Sequence, residues 1–315
     1  MAGKYRVLLV ERLDPDAERR LAEGADVVRP ADTREETLCA AVEFCDAIVA
    51  RTHNRITRRL LEAGRHLRAV GIAGVGLDNV DVAAARALGI RVIHTPEASS
   101  DAVAEFAVAL MLQLLRPIPR LAARYRAGEF KTVRDRTHGP ELRELTVGIL
   151  GMGRIGSRVG RIVAAGFGAR VIFNDIVEVG PFPFDAQPVD KSTLWRDSDV
   201  LTLHVPSTEL TRGIIDARVL DVMRDTAYLV NTSRGVVVQT GPLVQALKSE
   251  SIAGAALDVV DPEPLPADHP LFHLEHCILT PHVAARTHGG LHRMYAVVDK
   301  VLAYLRGEDT AHEVR

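Results

Sequence analysis

Cysteine is scarce in this chain of 315 residues: Cys39, Cys45 and Cys277 form neither a C-x-x-C pair nor a metal-like pairing with histidine. That excludes a disulfide framework and reads as buried thiols in a reducing compartment. No cluster of His, Asp and Glu has metal-ligand spacing, so no metal is expected. An excess of one charge is also lacking. The net charge is −2 and the basic residues are spread along the chain, which leaves no footprint for nucleic acid. Long apolar runs are absent: the longest, Ala102–Leu115, carries Glu105 and Gln113 and is too short to span a bilayer. The opening Lys4–Val10 reads as a short strand rather than a signal segment. Internal repeats and low-complexity linkers are missing too. The expectation is a cytoplasmic protein of two domains, with no membrane and no nucleic acid as partner.

What is present is glycine at three chosen places. Gly151, Gly153 and Gly156 lie in the run Val147-Gly-Ile-Leu-Gly-Met-Gly-Arg-Ile-Gly156. An apolar strand ends in a glycine turn and runs into a helical pattern carried by Ile155, Val159, Ile162 and Val163. Gly151 permits the tight turn, Gly153 lets a pyrophosphate approach the backbone, and Gly156 lets helix and strand pack closely. The helix N-terminus then faces the phosphates with free N–H groups and a favourable dipole. A second strand, Arg170–Asn174, is followed by Asp175, 19 positions after Gly156, where a carboxylate meets the adenosine ribose. A 2′-phosphate beside Asp175 would meet a like charge, with Ile176 and Val177 offering no cation. One such repulsion at about 4 Å is worth roughly 4 kcal/mol at an effective dielectric of about 20. The spacing therefore predicts NAD rather than NADP.

The first hundred residues alternate strand and helix. Val7–Val10, Val27–Val28, Ala47–Ala50, Ala69–Ile72 and Val92–His94 read as strands. Asp16–Glu23 and Val82–Leu88 read as helices, the latter closed by Gly89. A long helix is expected from Ser99 or Ser100 to Leu115, interrupted by Pro117 and Pro119. Its apolar residues lie nearly all round, so it is buried on more than one side, by its own chain or by a second subunit. Strands resume at Val147–Leu150, Arg170–Asn174, Val200–His204, Ala227–Asn231, Gly254–Val259 and Cys277–Thr280. The proline-rich Val179–Pro188 reads as a surface loop. A final helix, about Gly290–Leu305, returns to the first domain and makes it discontinuous. The fold class is α/β, with two doubly wound parallel sheets.

Three segments follow strand ends, where such sheets bind ligands: Asn231-Thr-Ser-Arg-Gly235, Asp258–Pro264 and Thr280-Pro-His-Val-Ala284. They supply Arg234, Glu263 and His282. Hydride transfer to a carbonyl needs a proton donor at the oxygen and a cation on the substrate. Imidazole titrates near neutrality and suits the donor. A carboxylate beside it stabilises the imidazolium and fixes the ring. Arginine grips a carboxylate bidentately.

With these motifs in order, the chain resembles the D-isomer-specific 2-hydroxyacid dehydrogenase family over nearly its full length. The matching runs are Gly74-Val-Gly-Leu-Asp-Asn-Val-Asp81, Ala102-Val-Ala-Glu105, Gly148–Gly156, His204-Val-Pro206, Asn231–Gly235, Asp258 with Glu263, and Thr280–Ala284. The resemblance implies a Rossmann NAD-binding domain (residues 99–285) inserted into a flavodoxin-like substrate domain (residues 1–98 and 286–315), with a cleft that closes on substrate. It implies that Arg234 binds the carboxylate and polarises the keto oxygen, that His282 exchanges the proton, and that Glu263 supports it. It places Arg154 and Ile155 at the pyrophosphate and Asp175 at the ribose. It places Val103, His204, Val205, Pro206, Thr211, Thr232, Ser233, Asp258 and Ala284 along the remaining cofactor. Arg51 and the N–H groups of Val75 and Gly76 would help hold the substrate. Family members are typically homodimers, which assigns the long Ala102–Leu115 helix to a subunit interface.

Some positions depart from the family pattern. Ile72 stands where members acting on 3-phosphoglycerate often carry arginine, and the chain ends soon after its last helix, where those enzymes often add a regulatory domain. Both argue against a phosphoglycerate substrate, although Arg51 and His53 offer positive charge. Glu263 stands where formate dehydrogenases of this fold carry glutamine. Val260, Glu97-Ala98 and His94 also differ, and none removes a catalytic group. The expected activity is NAD-dependent reduction of a small 2-keto acid such as glyoxylate, hydroxypyruvate or pyruvate. The alternatives are a nucleotide-sensing binding protein, like the corepressors that resemble this family, and an enzyme acting on an unusual acid such as phosphite.

Overall fold

The computed structural model describes residues 4–308 and 313–314. The chain divides into two compact units, Met1–Ser99 with Arg286–Arg315, and Ser100–Ala285.

In the first unit, strands β1 (Tyr5–Leu9), β2 (Ala25–Val28), β3 (Ala47–Arg51), β4 (Ala69–Ala73) and β5 (Arg91–His94) are parallel, in the order β2-β1-β3-β4-β5. Val7 and Leu9 face one apolar cluster, with Leu21 and Val301, while Leu8 and Val10 face another, with Leu60 and Ile72. Successive side chains point to opposite faces, so a strand covered on both sides is apolar throughout. The helix Val82–Ala87 starts on Asp81, whose carboxylate accepts from the Ala84 N–H at 2.8 Å. It ends where Gly89 takes a φ of +71°, the Ile90 N–H reaches Ala85 O and the Gly89 N–H reaches Arg86 O. This is the glycine-terminated stop expected there.

In the second unit, β6 (Thr146–Leu150), β7 (Arg170–Asn174), β8 (Gln187–Pro188), β9 (Val200–Leu203), β10 (Tyr228–Asn231), β11 (Gly254–Leu257) and β12 (Cys277–Leu279) form one parallel sheet, β12-β11-β10-β9-β6-β7-β8. Strand order reverses between β6 and β9, and in the first unit between β1 and β3. Doubly wound sheets bind ligands at such points, beyond the carboxyl ends of the strands.

Several elements differ from the sequence reading. The stretch read as a loop to Pro188 ends in β8, which pairs with β7. A short strand, β13 (Glu313–Val314), adds an antiparallel edge to β5. The helix Ser100–Leu115 is followed at once by a second, Ile118–Arg126, with Pro119 in its first turn. Proline there costs no intrahelical bond, so it starts a helix as readily as it ends one. The expected final helix is two, His288–Tyr295 and Val297–Leu305, because Ala296 has a ψ of −9°. Much of the Ser100–Leu115 helix is buried inside its own unit, through Ala104, Ala107, Val108 and Met111, against the helix Arg154–Arg161 and strands β10 and β11. Only Cys45 is fully buried; Cys39 and Cys277 are partly so, and burial pushes the Cys277 thiol up to about 12. Among the described residues no single helix is long and apolar enough to cross a membrane, and no group of three or more His, Cys, Asp or Glu side chains could hold a metal ion.

Candidate active site

The glycine turn at the end of β6 is built by close approach. Gly151 has a φ of +88°, and a Cβ on it would stand 2.6 Å from His204 O. A Cβ on Gly156 would stand 2.0 Å from Gly151 O. Both positions are reserved for glycine by the protein itself. Gly153 is different: a Cβ there meets nothing within 4 Å. Chain packing therefore does not demand glycine at 153, and the open side there leaves room for a ligand to approach the backbone. The helix Arg154–Arg161 begins immediately after, with the Ser157 N–H bonded back to Gly153 O. The N–H groups of Arg154, Ile155 and Gly156 precede the first intrahelical bond, at the end of a helix that favours an anion. Asp175 braces the turn, its Oδ2 accepting from the Met152 N–H at 2.7 Å and its Oδ1 from the Val177 N–H at 3.3 Å.

Further along the same edge, β9 and β10 end side by side, Leu203 opposite Asn231. The next residues, His204 and Thr232, each carry a buried polar atom without a protein partner, Nδ1 and Oγ1. Buried polar groups are rarely left so, and these two fit a polar ligand at this edge. Desolvation pushes the His204 imidazole down to about 3, so the ring is neutral; its Nε2 lies 2.9 Å from Thr202 Oγ1. The residues present thus fit a dinucleotide: a turn open at Gly153, a helix N-terminus, an acid after the second strand, and unsatisfied polar atoms beside them. Val205 packs on the unit's core and Pro206 follows it. The buried Thr211 hydroxyl donates to Pro206 O at 2.6 Å, so it shapes its own loop. Val103, on the helix Ser100–Leu115, is buried.

Arg234 is placed by an asparagine that the sequence reading did not single out. Asn231 is fully buried; its Oδ1 accepts from the Ser233 N–H and hydroxyl, and its Nδ2 donates to Arg234 O at 2.9 Å. This is an Asx-type turn, and the Asn-x-Ser spacing was its available signal. A Cβ on Gly235 would stand 2.0 Å from Val260 O, so this loop lies directly on the segment leading to Glu263. Arg234 Nη1 also donates to Ser233 O at 2.7 Å.

His282 has a φ of +53°, rare for a residue with a side chain. Such backbone persists where the surroundings over-determine it. Here the determinant is Asp258, almost fully buried at the end of β11. Its Oδ1 accepts from the Thr280 hydroxyl at 2.6 Å and the Val283 N–H at 2.9 Å, and its Oδ2 from the Ala284 N–H at 2.9 Å. The His282 N–H donates to Asp258 O at 2.9 Å. Asp258, expected along the cofactor, is thus the clamp on the histidine loop. His282 Nδ1 lies 2.8 Å from Glu263 Oε1, and both side chains are nearly half exposed. An ionised carboxylate only accepts, so the pair puts a proton on Nδ1 and leaves Nε2 outside this hydrogen bond.

Arg51, Val75 and Gly76 belong to the first unit. Arg51 ends β3 opposite Ala73, and Val75 O lies 3.0 Å from His94 Nδ1.

Known proteins of one family resemble this chain. Residues 108–284 match the model of the D-isomer specific 2-hydroxyacid dehydrogenase NAD-binding domain. A glyoxylate reductase of Aeropyrum pernix is 38% identical over 314 residues, covering 96% of this chain and 93% of that protein. A D-3-phosphoglycerate dehydrogenase of Methanocaldococcus jannaschii is 37% identical over 307 residues, 96% of this chain but only 58% of that longer protein. Among solved structures, the NADPH-dependent glyoxylate/hydroxypyruvate reductase of Sinorhizobium meliloti, in complex with NADP and malonate, superposes with a TM-score of 0.89 at 30% identity, covering 99% of this chain and 97% of that one.

Proposed function

Because the chain belongs to the D-isomer specific 2-hydroxyacid dehydrogenase family, we propose that it reduces glyoxylate or hydroxypyruvate at a centre made by Arg234, Glu263 and His282. It is an NAD-dependent oxidoreductase interconverting a small 2-keto acid and its D-2-hydroxy acid. The observation that carries the residue assignment is the Glu263–His282 pair at 2.8 Å, on the same sheet edge as the Asx-turned loop of Arg234.

NADH held at the Gly151–Gly156 turn would supply a hydride for the carbonyl carbon. Arg234 takes the substrate carboxylate and draws electron density from the keto oxygen. His282 gives a proton from Nε2 to that oxygen, and Glu263 holds the ring through Nδ1 before and after the transfer. Water returns the lost proton to His282. The N–H groups of Val75 and Gly76, with Arg51, are proposed as further substrate contacts in the unit that would serve as the substrate domain. The Gly151–Gly156 turn, Arg154 and Ile155 would hold the pyrophosphate and Asp175 the ribose.

The assembly is proposed to be a homodimer, supported by the helices Ile118–Arg126 and Phe130–Arg136. Neither buries a residue, and they leave Ile118, Tyr125 and Phe130 exposed. A cytoplasmic setting, without nucleic acid or membrane, is supported by three free cysteines and a near-zero net charge.

The test is NADH oxidation against a panel of 2-keto acids, for wild type and Arg234→Ala. Turnover of glyoxylate or hydroxypyruvate, lost in the variant while NADH still binds, is the expected result. Unchanged kcat/KM in Arg234→Ala overturns the assignment, and tight NADH binding with no turnover of any acid overturns the proposed reaction.

A further inference from the structure

The carboxyl ends of β1 and β3, where strand order reverses in the first unit, carry a charge cluster in which Glu11 and His53 have no part in the proposed reaction and Arg51 is a proposed substrate contact. Glu11, two residues beyond β1, is largely buried. Its Oε2 lies 2.9 Å from His53 Nε2 and 3.8 Å from Arg51 Nη1, and its Oε1 accepts from the Asn54 side-chain amide. Asn54 is itself buried. Asn79 locks the arrangement, its amide donating to Arg51 O at 3.2 Å and Asn54 O at 2.6 Å. Arg51 pairs with Ala73, and a Cβ on Gly74 would stand 2.4 Å from Thr52 Cγ2. The cluster therefore borders the loop of Val75 and Gly76.

Alone, Arg51 and His53 at such a switch point would form an anion site. With Glu11 between them, the guanidinium is neutralised by a carboxylate that water reaches poorly, where charges are weakly screened. We propose that Glu11 is a positioning residue for substrate choice. By holding Arg51 and His53, it directs this edge to 2-keto acids with an uncharged substituent, such as hydrogen, methyl or hydroxymethyl. It disfavours acids bearing a phosphate or a second carboxylate. The proposal rests on the reading that the Val75–Gly76 loop receives the substrate.

The experiment compares kcat/KM with NADH for hydroxypyruvate, its 3-phosphate ester and oxaloacetate, in wild type, Glu11→Gln and the double variant Glu11→Gln/Arg51→Met. Wild type should favour hydroxypyruvate. Glu11→Gln should raise the relative kcat/KM of both dianionic acids by about fivefold or more, through KM, with the gain shrinking at high salt. Adding Arg51→Met should cancel the gain. An unchanged ratio in a Glu11→Gln protein that binds NADH normally overturns the proposal. If that variant does not fold, inhibition of wild type decides: malonate should bind no better than acetate, and much tighter binding of the dianion overturns the proposal. A wild type that reduces none of these acids overturns the functional reading instead.

Discussion

Glu263 Oε1 stands 2.8 Å from Nδ1 of His282, so the carboxylate engages one ring nitrogen and leaves Nε2 for the proton transfer proposed above. His282→Asn should lower kcat by about 10²–10⁴-fold while NADH affinity stays within a few-fold. Glu263→Gln keeps the size but removes the charge, and should cost less than His282→Asn. Single-turnover kinetics with NADH will check both, and a Glu263→Gln enzyme as fast as wild type would refute the pairing's role.

Asp258 holds the loop that carries His282. Asp258→Ala leaves the Thr280 hydroxyl and the Val283 and Ala284 N–H groups without their acceptor. An unsatisfied buried group costs about 1–3 kcal/mol, and of these three the Ala284 N–H is buried, so a stability loss of about 1–3 kcal/mol is expected in urea unfolding. Catalysis should fall too, since the +53° φ of His282 loses its support.

The three glycines of the turn should separate into two kinds. Gly156→Ala forces a Cβ against Gly151 O and should destabilise the protein by about 1–3 kcal/mol. Gly153→Ala meets no protein atom and should change stability by less than about 1 kcal/mol. It should nevertheless weaken NADH binding at least about tenfold, because a methyl group would occupy the line of approach of the pyrophosphate. Thermal unfolding with NADH titration distinguishes the two.

Asp175 both braces Met152 and sets a negative charge after β7. Asp175→Ala should raise the NADPH/NADH ratio of kcat/KM at least about tenfold by removing a like-charge repulsion. If parallel assays show no movement in that ratio, another group discriminates between the cofactors.

Burial holds the folded His204 imidazole down to about 3, below its ordinary 6.5. Between these values the unfolded chain binds a proton that the folded chain does not. The folded state's advantage is therefore complete above about pH 6.5 and is lost as pH falls toward 3, at up to about 1.4 kcal/mol per pH unit. Urea unfolding between pH 7 and pH 5 should show this slope, and His204→Gln should flatten it.

Much of this protein is local and therefore readable in the chain. The Gly151–Gly156 turn, the acid at 175 and the apolar runs of the strands follow from backbone sterics and periodicity, which depend on near neighbours. Arg234, Glu263 and His282 stand out as candidates because they follow strand ends, which converge on one edge of a doubly wound sheet. Partners far apart in sequence were decided only by the tertiary structure. Asp258 reads as another strand-end acid until β11 and β12 pair and bring Thr280, Val283 and Ala284 within hydrogen-bonding reach. Nothing in the sequence marks Glu11, and only the pairing of β1 with β3 sets it beside Arg51 and His53. Electrostatics and hydrogen bonding act through distance in space, and no sequence pattern carries that distance before the sheets close.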